Sequence, residues 1–306
     1  MTHFADRLAD AIRAKGNAVC AGLDPRWELL PAEIRARHGA DTLEAAAAAV
    51  EEFCGRFLDV VAPLVPVVKP QAAFFEACGP AGMAALQRLL RKARDRKLVT
   101  ILDGKRNDIA STAAAYADAA FGGVVIDRRV FPVWEADALT VNPYLGRDAV
   151  EPFLQSARKA GAGVFVLVRT SNAGAGQFQD LLVPAQDGGA PRPLYQHVGD
   201  AVAAWSRENL GRCGFGDVGA VVGATYPAEL AELRRTLPEV VFLVPGFGTQ
   251  GGTAADVLPA FRGDGLGAVV NSSRGLMFPS RAGDEPWERS VERAAKETIA
   301  AIAGKS

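Results

Sequence analysis

Apolar and polar positions along this chain repeat one event. A short run rich in Val, Ile and Leu ends in a turn, and the turn leads into a stretch whose apolar residues recur three and four apart. Continuous short apolar runs read as strands buried on both faces, and the three-and-four spacing reads as amphipathic helix. Strand-like runs fall at Ala18–Asp24, Val65–Gln71, Leu98–Lys105, Ala138–Pro143, Gly163–Ser171, Val218–Thr225, Val240–Gly248 and Gly267–Arg274. The clearest helical patterns are Thr42–Val60, Gly82–Arg96, Ser111–Phe121, Leu194–Leu210, Pro227–Thr236 and Pro286–Ile302. Asp41-Thr42 before Leu-Glu-Ala is a helix start, and Pro227 suits a first turn, where a missing N–H costs nothing. The first dozen residues add a helix before the first strand.

Eight strand–helix units without a break in composition predict an α/β fold, a closed (β/α)8 TIM barrel, as a single domain over 1–306. A doubly wound open sheet is the alternative that the same alternation allows. Ser171–Pro193, rich in Gly, Pro and Gln, is too long for an ordinary connection and is a candidate active-site lid.

Composition narrows the function classes. Hydrophobic residues at 49% suffice for a large core, and 34 Lys+Arg against 35 Asp+Glu give no basic surface for nucleic acid or membrane. No apolar run reaches the ~18 residues of a bilayer span. Val60–Val68 comes nearest, and Pro63 and Pro66 interrupt it. The N-terminus carries no cleavage pattern, so a cytoplasmic protein is expected. Cys20, Cys54, Cys78 and Cys213 lack C-x-x-C spacing, and Cys20 and Cys54 read as reduced core thiols. His3, His38 and His197 have no partners placed for zinc or a nucleophilic triad, so neither metal nor organic cofactor is expected.

In such a barrel, chemistry gathers at the C-terminal ends of the strands. Polar residues concentrate there: Asp24 and Arg26, Lys69 and Gln71, Asp103 and Lys105, Thr170-Ser171-Asn172, Pro245-Gly-Phe-Gly248, and Asn271-Ser-Ser-Arg274. One charged strand end is ordinarily a solvated loop edge. Several converging on one mouth point to a site.

The densest stretch is Asp103-Gly-Lys105-Arg-Asn-Asp108-Ile-Ala-Ser-Thr112. Asp103 and Lys105, two apart on a strand, share a face. Asp108 and Thr112, four apart at a helix start, are expected to share a helix face, serving this site or a neighbouring subunit's. Lys69 on the adjacent strand completes an alternating Lys-Asp-Lys-Asp array. At ~4 Å and an effective dielectric of ~20, each contact is worth on the order of 4 kcal/mol before desolvation is subtracted. The carboxylates keep the lysines protonated. A purely structural ion-pair network closing the barrel end is the competing use.

Pro245-Gly-Phe-Gly-Thr-Gln250-Gly-Gly reads as a turn with exposed backbone N–H groups, leading to a helix near Thr253. Loops after strands seven and eight form the usual phosphate site of this architecture, and Arg274 adds a bidentate donor.

Together these residues resemble the orotidine 5′-monophosphate decarboxylase family, especially its longer bacterial, type 2 form. The resemblance rests on D-x-K-x-x-D at Asp103, Lys105 and Asp108 with Thr112 beyond, on Leu23-Asp24-Pro-Arg, and on Val68-Lys69-Pro-Gln-Ala-Ala-Phe-Phe-Glu76. Thr140-Val-Asn-Pro-Tyr-Leu-Gly146, Arg169-Thr-Ser-Asn172 and Pro245–Gly252 extend it, in order, over about residues 18 to 278. Asn107 stands where Gly is expected and Ala173 where Pro is expected, which touches loop shape and no catalytic group.

The resemblance implies decarboxylation of orotidine 5′-monophosphate to UMP. Lys105 would give a proton to C6, and Asp103 would sit against the departing carboxylate. Lys69 would hold Asp103 and a ribose hydroxyl, and Asp24 would bind ribose. Ser171 would bond the pyrimidine, while Gln250 and Arg274 would grip the phosphate. Asp108 and Thr112 would complete the partner's site in a homodimer. Two rivals stay open: a Mg²⁺-dependent sugar-phosphate decarboxylase or aldolase of the same superfamily, and a non-catalytic nucleotide-binding barrel. The first wants a carboxylate where this chain has Lys69. The second has no use for carboxylates beside an anionic substrate.

Overall fold

Each apolar run becomes a strand whose two faces are both covered, because side chains fill the ring inside and helices cover it outside. The computed structural model describes residues 2–184, 188–248, 251–281 and 283–303. In chain order the strands are β1 (Val19–Leu23), β2 (Val67–Pro70), β3 (Val99–Arg106), β4 (Val124–Ile126), β5 (Arg129–Phe131), β6 (Ala138–Val141), β7 (Gly163–Arg169), β8 (Leu182–Val183), β9 (Arg192–Pro193), β10 (Val218–Val222), β11 (Phe242–Val244) and β12 (Ala268–Ser272). Eight of them close into a ring in the order β1-β12-β11-β10-β7-β6-β3-β2. The first strand pairs in parallel with both β2, Cys20 opposite Val67, and β12, Val19 opposite Val270. That double pairing makes a (β/α)8 TIM barrel and overturns the open-sheet alternative.

The period of two along each strand sorts side chains into two cores. From β1, Val19, Ala21 and Leu23 face the layer under the helices, where Phe53, Phe57 and Leu86 lie. Cys20 points inward, with Val67, Ile101, Phe165, Leu243 and Val269. Phe4, Leu8 and Ile12 of the helix Phe4–Lys15 join that inner core and plug the N-terminal end of the ring. This is the extra helix expected from the first dozen residues. His3 caps it by accepting from the Ala5 N–H at 3.2 Å, and Gly16, at φ 66°, ends it.

Observed helices match the periodic stretches closely, for example Leu43–Val61, Gly79–Asp95 and Trp287–Ile302. The helix Arg147–Ala160 was not among the clear patterns, although its buried positions Ala149, Val150, Phe153, Leu154 and Ala157 recur three and four apart; Pro152 lies inside it and off that face. The antiparallel hairpin β4–β5 was not foreseen either. Its turn residues Asp127 and Arg128 both take positive φ, at 46° and 64°, as a tight two-residue hairpin turn requires. The long segment from 171 to 193 carries a short helix, Gly176–Gln179, and the small pair β8–β9. Cys20 and Cys54 are buried free thiols, and burial pushes the Cys20 thiol up to about 12. Among the described residues no helix is long and apolar enough to cross a membrane.

Candidate active site

Chemistry needs a side chain that leaves the strand in a defined direction, and β3 supplies it by going out of register. Leu102 pairs with Leu139, yet Arg106 pairs with Val141, so β3 bulges over Asp103–Lys105. Bulges re-aim side chains at barrel rims. Lys105 itself takes φ 45°, and its N–H donates to Thr140 Oγ1 at 2.9 Å. Asp103 is 6% exposed and Lys69 4%, whereas the Lys105 side chain is 46% exposed.

Every oxygen of the buried carboxylate is engaged. Lys69 Nζ donates to Asp103 Oδ2 at 2.6 Å, Lys105 Nζ to Oδ1 at 2.7 Å, and Thr140 Oγ1 to Oδ1 at 2.9 Å. Burial pushes the Asp103 carboxyl upward, but the two ammonium groups outweigh it and hold the acid below the usual carboxylate range. Burial likewise works against the Lys69 ammonium, and Asp103 with Asp24 more than offset it, raising Lys69 above an ordinary lysine. Both groups are therefore charged at neutral pH.

The expected side chains Asp24, Lys69, Asp103, Lys105, Ser171 and Arg274 all line one cavity of about 780 Å³ at the C-terminal mouth. Within it Asp24 Oδ1 and Asn271 Oδ1 are buried with no hydrogen-bond partner among the described residues. Both residues line the cavity that also holds Lys69 and Lys105. Gly22 makes this corner possible, because a Cβ there would fall 1.9 Å from Ser273 Oγ. Ser171 sits where β7 meets β10, its carbonyl accepting from Thr225 Oγ1 at 3.4 Å.

Three expectations need correction or qualification. Asp108 and Thr112 do not share a helix face: the helix is Ala110–Ala120, Ile109 is its extended N-cap, and Ala110 has φ 43°. Asp108 lies before it, with Oδ1 accepting from the Ile109 N–H at 2.8 Å, and neither residue lines the cavity. The turn after β11 does not offer free amides at Gly248, Gly251 and Gly252, whose N–H groups donate to Gly252, Gly248 and Gly246 carbonyls. Arg274 lines the cavity, and Gln250 lies outside the described residues. Thr140, whose Oγ1 accepts from the Lys105 N–H and donates to Asp103 Oδ1, lines the cavity and was not among the expected site residues. A threonine inside an apolar run reads as a strand former.

Comparison with known proteins bears on this geometry. The family model described as orotidine 5′-phosphate decarboxylase / HUMPS family matches residues 17–279. A curated orotidine 5′-phosphate decarboxylase from Rhodopirellula baltica is 49% identical, over 96% of this chain and 97% of its own length. One from Caldicellulosiruptor bescii is 37% identical, over 91% and 90%. Among solved structures, the OMP decarboxylase of Leishmania donovani superposes with a TM-score of 0.75 at 35% identity, covering 99% of this chain and 98% of that one.

Proposed function

The chain belongs to the orotidine 5′-phosphate decarboxylase family and is a carboxy-lyase, and from that premise we propose that it converts orotidine 5′-monophosphate to UMP and carbon dioxide in de novo pyrimidine biosynthesis, with Lys105 as the proton donor. The observation that supports the assignment of roles is the Asp103 carboxylate clamped between two ammonium groups on the wall of the cavity. When the bond from C6 to the carboxylate breaks, its electron pair stays on C6, where no carbonyl is placed to delocalise it. A fixed positive charge is the remedy. Lys105, half exposed toward the mouth and tethered by Asp103, provides that charge and then transfers a proton to C6. Asp103 sits against the departing carboxylate, and the array needs no reorganisation at the moment of reaction.

Lys69 holds Asp103 and a ribose hydroxyl, Asp24 binds ribose, and Ser171 bonds the pyrimidine. Arg274 and Gln250 take the phosphate, whose binding energy is expressed in positioning the ring. The end of β2 presents the Lys69 ammonium, which already occupies Asp103 Oδ2, and such a donor set disfavours a divalent cation there.

Asp108 and Thr112 act across a homodimer, completing the partner's site. Their exclusion from their own cavity supports this, as do the exposed apolar Ile109, Tyr116, Val125, Ile126, Val130 and Phe131 on the adjoining helix and hairpin.

Turnover is measured by the loss of absorbance of orotidine 5′-monophosphate. Lys105→Ala is expected to lower it by more than about a thousandfold while UMP still binds, and near-normal rates would refute the proton-donor role. Mixing inactive Lys105→Ala with inactive Asp108→Asn protein should restore measurable turnover through hybrid dimers. Silence after proven subunit exchange would place Asp108 within its own chain's function.

A further inference from the structure

Arg169 ends β7, two residues before Ser171, and is 2% exposed. A guanidinium this deep costs several kcal/mol unless it is paired. Its nearer partners come from the segment that follows, and Glu229 of the helix Pro227–Thr236 adds a looser ion pair, its Oε1 3.9 Å from Nη2. Nη1 lies 3.0 Å from Asp180 Oδ1 and donates to Gln179 Oε1 at 3.4 Å, and Nη2 donates to Asp180 Oδ2 at 3.4 Å. The Tyr226 ring, from the loop after β10, covers the guanidinium at 3.9 Å. Asp180 is itself exposed, so the charge of Arg169 is what draws it back over the strand end. Gly176 leaves room for that return, since a Cβ there would fall 2.6 Å from Asp180 Oδ2.

Gln179 adds a second fastening. Its Oε1 accepts from the Thr170 N–H at 3.0 Å and its Nε2 donates to Thr170 Oγ1 at 2.8 Å, a two-point amide clasp on the residue preceding Ser171. On the other side the Thr225 hydroxyl bonds the Ser171 carbonyl. The turn bracketed by these bonds presents Gln177 and Phe178 to the cavity.

We propose that Arg169, Gln179 and Asp180 are positioning residues that fix Ser171 and the Gln177–Phe178 wall in the geometry that receives a pyrimidine ring. In this structure the first part of the long segment is fastened to the end of β7. The inference rests on the reading of Ser171 as the ring contact, and its test separates the two.

Gln179→Ala and Asp180→Asn replace surface-accessible partners, so the buried arginine stays. Dissociation constants for UMP and for ribose 5-phosphate, which lacks the ring, are measured by calorimetry with KM, kcat and Tm alongside. Expected are a rise of about tenfold in the UMP constant and in KM, kcat within about threefold, and ribose 5-phosphate binding unchanged. Tm should move by no more than about 2 °C. In a Ser171→Ala background the effect of Gln179→Ala on UMP should shrink to less than about twofold, because both changes disable one unit. Additive effects in the two backgrounds, equal weakening of UMP and ribose 5-phosphate, or a fall in Tm with affinity intact would each overturn the proposal. Absence of turnover by the wild-type protein would strike the decarboxylase reading instead, and the binding measurements would still decide the clasp.

Discussion

Both ends of the barrel bury charge, and they satisfy it from different sources. At the N-terminal end, Asp6 accepts the main-chain N–H groups of Arg212 at 3.2 Å and Cys213 at 2.8 Å. Arg234, buried nearby, donates to the carbonyls of Leu237, Val240 and Gly267, and burial, aided by Arg262, pulls it down to about 10. Backbone groups are fixed by the fold, so those charges are locked into place. At the C-terminal end, Lys69, Asp103 and Lys105 satisfy one another, and Asp24 and Asn271 each keep an oxygen unbonded among the described residues. The difference teaches where to look for function: burial of charge marks neither end, and Arg234 Nε shows that a buried atom unpartnered among the described residues does not either, while unbonded acceptors on residues that line a cavity mark one.

Replacing each arrangement tests that contrast. The largest effect is expected from Lys69→Met combined with Asp103→Leu. Turnover should fall to background, while denaturant unfolding shows unchanged stability or a gain of about 1–4 kcal/mol, as when buried ion pairs yield to packed apolar groups. A loss of stability would mean that the array is structural after all. At the opposite end, Asp6→Ala strands two amides and should cost about 1–3 kcal/mol, with kcat/KM within about twofold. An equal loss of activity would erase the distinction between the ends.

The smallest effect comes from the barrel's flank, where Glu52 joins His38, Arg37 and Arg56. Burial works to raise this carboxyl, but the bonds from His38, Arg37 and Arg56 bring it down to about 2 from 4.5. A depressed acid stabilises the fold above its unfolded value and loses that contribution as pH falls through the folded one. Tm should therefore decline as pH drops from about 4.5 toward 2, and Glu52→Gln should flatten the decline. An unaltered acid slope in that variant would remove Glu52 from the account.

The ring was legible in the sequence because parallel strands covered on both faces leave unbroken apolar runs, as Val218–Val222 and Phe242–Val244 do. Lys69, Asp103 and Lys105 were legible because charges at the ends of such runs have no packing reason to be there. What stayed hidden depends on geometry that residue types do not encode. Ile109 and Ala110 leave helical conformation before Ala110–Ala120 settles, so counting four residues from Asp108 to Thr112 misled. The amides of Gly248, Gly251 and Gly252 looked free because nothing in a glycine-rich turn says that it will bond to itself. Arg169 looked like a motif letter, and its burial appears only once Tyr226 and Asp180 fold over it.

The seam between β1 and β12 has a consequence for synthesis. Asp24, whose N–H reaches Met277 Sδ at 3.0 Å, waits for a residue 253 positions later in the chain. A nascent polypeptide emerging from the ribosome carries its aspartate early and lacks Asn271 and Arg274 until β12 has been made. Half-made chains thus have no pocket for a nucleotide to occupy, and ligand present during translation can stabilise only molecules whose ring is already complete.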